Sequence, residues 1–137
     1  MSYPAFPPVR NTSLPREFRY IRLERARDHD YPEGDKKTAY IMIAPLDADS
    51  RIDADIWRDH KDACRVVRKR PDGEDDLGHL IHGPGGSWRF HYDVSRITPD
   101  ETGYHFGDEK FEPGEYLSIR EADGMMNPYR LISVLPL

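Results

Sequence analysis

Gly78-His79-Leu80-Ile81-His82-Gly83-Pro84-Gly85-Gly86-Ser87-Trp88-Arg89-Phe90-His91-Tyr92-Asp93 is the stretch on which the fold turns. From Trp88 onward, rings alternate with polar side chains. Trp88, Phe90 and Tyr92 share one phase and Arg89, His91 and Asp93 the other. A period of two marks an extended strand with one buried face, so the rings are expected in a core and the polar set outside. Upstream, the Gly-Pro-Gly-Gly run is turn chemistry between this strand and one ending at His82. An even-length loop sets His82 opposite Ser87. Ile81 then faces Trp88, His79 faces Phe90 and Leu77 faces Tyr92. In that register His79 is a core histidine and His91 lies across from Gly78.

Two further turns extend the pattern. In Arg70-Pro71-Asp72-Gly73-Glu74, proline presets φ and glycine takes the left-handed position, giving a type I turn with a bulge. Lys69 then opposes Asp75 and Arg68 opposes Asp76, so the basic run Cys64-Arg65-Val66-Val67-Arg68-Lys69-Arg70 reads as half of a charge ladder rather than a nucleic-acid patch. At Ala122-Asp123-Gly124 a three-residue loop sets Leu117 opposite Tyr129 and Glu115 opposite Leu131, preserving alternation where a two-residue loop would not.

Strands are expected at 18–25, 38–46, 64–69, 77–82, 87–93, 102–106, 116–120 and 129–135. Asp53 is a good N-cap for a short helix carrying Ile56, Trp57 and His60 on one face. The fold class is therefore mainly β: a small barrel-like antiparallel meander of about seven or eight strands with one short helix. Residues 16–137 form one domain. Residues 1–15, held extended by Pro4, Pro7, Pro8 and Pro15, form an N-terminal arm.

A chain of 137 residues, 37% hydrophobic and 33% charged, can bury one sizeable core without a staple. Its net charge of -5 repels a phosphate backbone, so nucleic acid is not an expected partner. Cys64 is the sole cysteine, which excludes an intramolecular disulfide and a CxxC site and suits a reducing cytoplasm. No apolar run serves as a signal-peptide core or approaches the ~18 residues of a membrane span.

Imidazole invites a metal reading of His79 and His82, but three residues apart on a strand they point to opposite faces. His60 and Cys64 have helical ligand spacing without further ligands. Asp47, Asp49 and Asp53 lack the glycine and glutamate of a calcium loop. Ser87 lacks the GxSxG elbow. Neither a metal nor a cofactor is expected. The candidate ligand-binding residues are His91, Arg89, His82, Cys64 and Arg68, grouped around the space left by Gly78.

The segments WRDHKDACRVVR (57–68), GHLIHGPGGSWRFHYD (78–93) and FEPGEYLSIREADG (111–124) together resemble a family of small uncharacterised bacterial proteins. That resemblance spans most of residues 18–135 and implies no activity and no catalytic residues. Phe111 to Leu117 with Tyr129 to Ile132 also resembles the strand pair of SH3-like barrels, which does not give function.

No triad, carboxylate pair or ligand set assembles from these spacings. The leading expectation is thus a non-catalytic binding or interaction module for a small molecule or a protein, with self-association through a sheet edge open to it. Two alternatives stand beside it. One is a small enzyme built on His91, His82 and Arg89; the other is a single-stranded nucleic-acid binder using aromatics with Arg65, Arg68, Lys69 and Arg70.

Overall fold

A computed structural model describes residues 14–29, 31–83, 87–93 and 100–137. Eight strands form a closed barrel: β1 (Phe18–Arg25), β2 (Asp35–Pro45), β3 (Arg65–Lys69), β4 (Asp75–His82), β5 (Trp88–Tyr92), β6 (Glu101–Tyr104), β7 (Tyr116–Arg120) and β8 (Met126–Pro136). Each strand pairs antiparallel with its neighbour in sequence, and β8 returns to pair with β1. All of the strands expected from turn chemistry are present. The arm lies mostly outside the described residues, as do Pro84, Gly85 and Gly86 of the loop before β5. Closure gives each strand two neighbours among the described residues, which confines unpaired sheet edge to strand ends such as β8 beyond Leu131. The β7–β8 pair is part of this eight-stranded meander rather than of an SH3-like barrel.

Two of the three turns form as their chemistry dictates. Gly73, at φ +90°, donates to the Arg70 carbonyl at 3.0 Å, and Arg70 N donates to Glu74 O at 3.0 Å. Arg68 pairs with Asp76 and Lys69 with Asp75 in register. Gly124, at φ +85°, donates to Glu121 O, and Leu117 pairs with Tyr129.

The hairpin between β4 and β5 is shifted by one residue from the even-loop expectation. Gly83 N donates to Ser87 O at 2.7 Å, so three residues lie between that pair and the loop is odd. His82 therefore opposes Trp88, Leu80 opposes Phe90 and Gly78 opposes Tyr92. This register requires glycine at 78: a Cβ there would lie 2.4 Å from the His91 carbonyl oxygen and 3.0 Å from Tyr92 Cα, a spot only glycine occupies. The inward phase of β5 is as expected, with Trp88, Phe90 and Tyr92 buried. The phase of β4 is inverted. His79 is not a core histidine but lies on the outer face, opposite His91.

The barrel has two unlike ends. At one, α1 (Ala54–Asp59) covers the opening, with the Asp53 side chain accepting from the backbone of Asp55 and Ile56 as N-cap. Trp57 of α1 enters the mouth and donates from Nε1 to Leu80 O at 2.9 Å. It meets Trp88 edge to face at 5.2 Å, and His82 stacks on Trp88 at 4.1 Å. Phe106 packs on Phe90 and Phe111 to complete an aromatic plug, its ring lying where Gly103 leaves room.

Candidate functional site

The opposite end, where the turns after β1, β3, β5 and β7 gather, is polar inside. In β1, β3, β5 and β7 the inward position there is two residues beyond a buried apolar one, Leu23, Val66, Phe90 and Ile119 in turn. Glu101 of β6 is fully buried. Its Oε1 accepts from Tyr40 at 2.7 Å and Tyr92 at 2.6 Å, and its Oε2 from the Ala122 amide at 3.0 Å. Glu121, just past β7, accepts from Tyr129 at 3.1 Å and from Asn127. Arg68 stands between the two carboxylates, 3.2 Å from Glu121 and 3.6 Å from Glu101, and 3.9 Å from Asp76. Arg25 adds a second cation, 4.0 Å from Glu121, bonded to Asp28 at 2.5 Å and lying over the Tyr31 ring. With Arg25, Tyr40, Arg68, Asp76, Tyr92, Glu101, Glu121 and Tyr129, every strand or its adjoining turn contributes to one clasp.

Burial governs the electrostatics. Desolvation raises the Glu101 carboxyl above its ordinary value, against the opposing pull of Tyr92, Arg68, Tyr40 and the Ala122 amide. Desolvation, reinforced by nearby carboxylates, likewise holds the Tyr40, Tyr92 and Tyr129 phenols protonated. For Arg68, burial works to lower the pKa, but Glu101 and its neighbours outweigh it and raise the value. The phenols thus donate and the carboxylates accept. Glu101 is sealed from solvent, so it can fasten strands but is not open to a substrate.

The five residues expected to gather around Gly78 do not share a site. Arg68 belongs to the clasp. Cys64 is buried, with its thiol pushed up to about 12 by desolvation, and donates weakly to His60 O at 3.5 Å. A thiol held protonated in this way is a poor nucleophile. His82 faces inward against Trp88. His91 and Arg89 face outward, and both approach Asp100, His91 Nδ1 at 2.8 Å and Arg89 at 3.9 Å. His91 and His82 therefore lie on opposite faces of the wall, because the corrected register leaves them an odd number of positions apart. The rings of Trp88, Phe90 and Tyr92, which a nucleic-acid stacking surface would need, are buried. Lys69 and Arg70 are engaged by Asp75 at 3.3 Å and Asp76 at 2.8 Å.

A concave surface that sequence reasoning misses lies outside the barrel, where the β1–β2 turn meets β8. This groove of about 270 Å³ is lined by Arg25, Arg27, Lys36, Arg130, Tyr116 and Ile132 among others. Tyr116 and Ile132 are among the exposed large apolar side chains. Arg25 belongs to both groove and clasp. In sequence the residues are scattered over three segments, and only β1–β8 closure brings them together.

Among the described residues, no helix is long and apolar enough to cross a membrane. No family model matches the chain, nor does any curated protein or solved structure. This agrees with a resemblance that imports no activity, and it leaves bacterial origin without support.

Proposed function

We propose that the chain is a non-catalytic binding module whose ligand carries an anionic group and an apolar portion and sits in the groove beside β1 and β8. The observation that supports this reading is a concave surface where Arg27, Lys36 and Arg130 border Tyr116 and Ile132, on a chain whose net charge is -5. Cations concentrated against that overall charge select for an anion, and an exposed ring beside them gives a ligand something apolar to cover. Glu24, Glu33 and Asp35 also line the groove and restrict the anion to the part near Arg27, Lys36 and Arg130. The lone, buried Cys64 accords with action in a reducing cytoplasm.

The enzyme reading has less behind it. Its imidazoles lie on opposite faces, and the Glu101 carboxyl, raised by burial, is closed off. The test is a thermal-shift and NMR titration against small carboxylates and phosphates, with and without an aromatic or alkyl group. A ligand at a hundred times its dissociation constant adds about 2.7 kcal/mol, an easily read shift. Saturable binding that is weakened at least tenfold in Arg130→Glu and in Tyr116→Ala is expected. Stabilisation by none of the compounds, or binding indifferent to both substitutions, would remove this reading.

A further inference from the structure

The odd β4–β5 loop places two imidazoles side by side on the outer wall, away from both the clasp and the groove. His79 and His91 are direct cross-strand partners, and opposed residues of an antiparallel pair hold their Cβ atoms about 4.5–5.5 Å apart. Each ring is oriented by its own carboxylate. His79 Nδ1 lies 2.8 Å from Asp93 Oδ1, and His91 Nδ1 lies 2.8 Å from Asp100 Oδ1.

An ionised carboxylate only accepts hydrogen bonds. A neutral ring beside it must therefore carry its proton on Nδ1, which leaves the Nε2 lone pair available. Neither Nε2 has a partner among the described residues. Two neighbouring imidazoles are thus set in the same tautomer, with Nδ1–H held by a carboxylate and Nε2 open. This is the arrangement by which proteins prepare histidine to ligate a metal, the carboxylate fixing the ring and increasing its basicity. Both rings remain open to solvent, with side-chain exposures of 35% for His79 and 60% for His91, so an ion has access.

We infer that His79 and His91 form a two-imidazole chelate for a divalent late transition-metal ion, with Asp93 and Asp100 as positioning residues. Imidazole nitrogen favours zinc, copper and nickel over magnesium or calcium, which take oxygen. Among the described residues no group of three His, Cys, Asp or Glu gathers to make a closed site. The ion's other positions therefore go to water or to an incoming ligand, and the site is a weak, open one rather than a structural zinc centre.

The test uses Zn²⁺ alone on the full chain. Calorimetry is expected to give saturable one-to-one binding with a dissociation constant below roughly 1 mM. His79→Gln and His91→Gln should each weaken it at least tenfold, and Asp93→Asn and Asp100→Asn by roughly tenfold. Long-range proton–nitrogen spectra should show the Nδ1–H tautomer for both rings before addition. On addition, the Nε2 signals of His79 and His91 should move together while those of His29, His60, His82 and His105 stay. Because both histidines are at the surface, circular dichroism of the variants should match the parent. Absence of saturable binding, binding unchanged in either histidine variant, or movement of only one of the two rings would overturn the inference.

Discussion

The two ends of this barrel are closed by opposite physics. Trp57, Trp88, Phe106 and Phe111 stop one end by burying apolar area, a non-directional effect that tolerates small shifts of ring against ring. The other end is fastened by three carboxylates, two guanidinium groups and three phenols, each of which costs free energy to bury and recovers it only in the correct geometry. The aromatic end therefore supplies stability. The polar end chiefly selects one arrangement of strands, since a strand displaced by one residue would leave a charge buried alone.

That contrast is sharpest under truncation. Glu101→Ala would leave Tyr40, Tyr92, the Ala122 amide and Arg68 facing one another without their acceptor. A loss of about 3–5 kcal/mol is expected in urea unfolding; a loss under about 1 kcal/mol would show that the clasp contributes little. Trp57→Ala at the aromatic end should cost about 3 kcal/mol by lost burial and a residual cavity, and this loss should be nearly the same at every pH.

The smallest effect separates the ends by protons. Burial raises the Glu101 carboxyl, so the folded chain holds that proton more tightly than the unfolded chain does. Stability from this group is complete below the ordinary glutamate value near ~4.3 and falls as pH rises through the raised folded value. The stability difference between the parent and Glu101→Gln should therefore shrink as pH rises above about 4, by about 1.4 kcal/mol for each pH unit that separates the folded value from the unfolded one. A difference that widens with pH would mean that pairing with Arg68 outweighs desolvation.

What the sequence discloses follows the range of the physics involved. Strands, the Asp53 cap and the turns at Gly73 and Gly124 rest on local chemistry and are legible. The β4–β5 register is not, because Gly-Pro-Gly-Gly accommodates odd and even loops alike, and the close approach of β5 that requires glycine at 78 involves a facing strand. Within the clasp only Arg68 stands out from sequence. Glu101 and Glu121 look like ordinary strand-end acids, yet a signal is present: Leu117, Ile119 and Glu121 share one phase, as do Leu23 and Arg25. Counting by twos past the last apolar residue places both Glu121 and Arg25 inside. The groove has no such signal, since it exists only because β8 returns to β1.

That return sets the order in which the molecule can be made. Arg19 meets Pro136 across the β1–β8 seam, so β1 waits for β8 to be made. Contacts between such distant parts of a chain form late and slowly. Until they form, the sheet is an unrolled ribbon with two bare borders, each able to recruit a strand from another molecule. Closure of the barrel pairs those two borders with each other, so the hazard is greatest in the newborn chain.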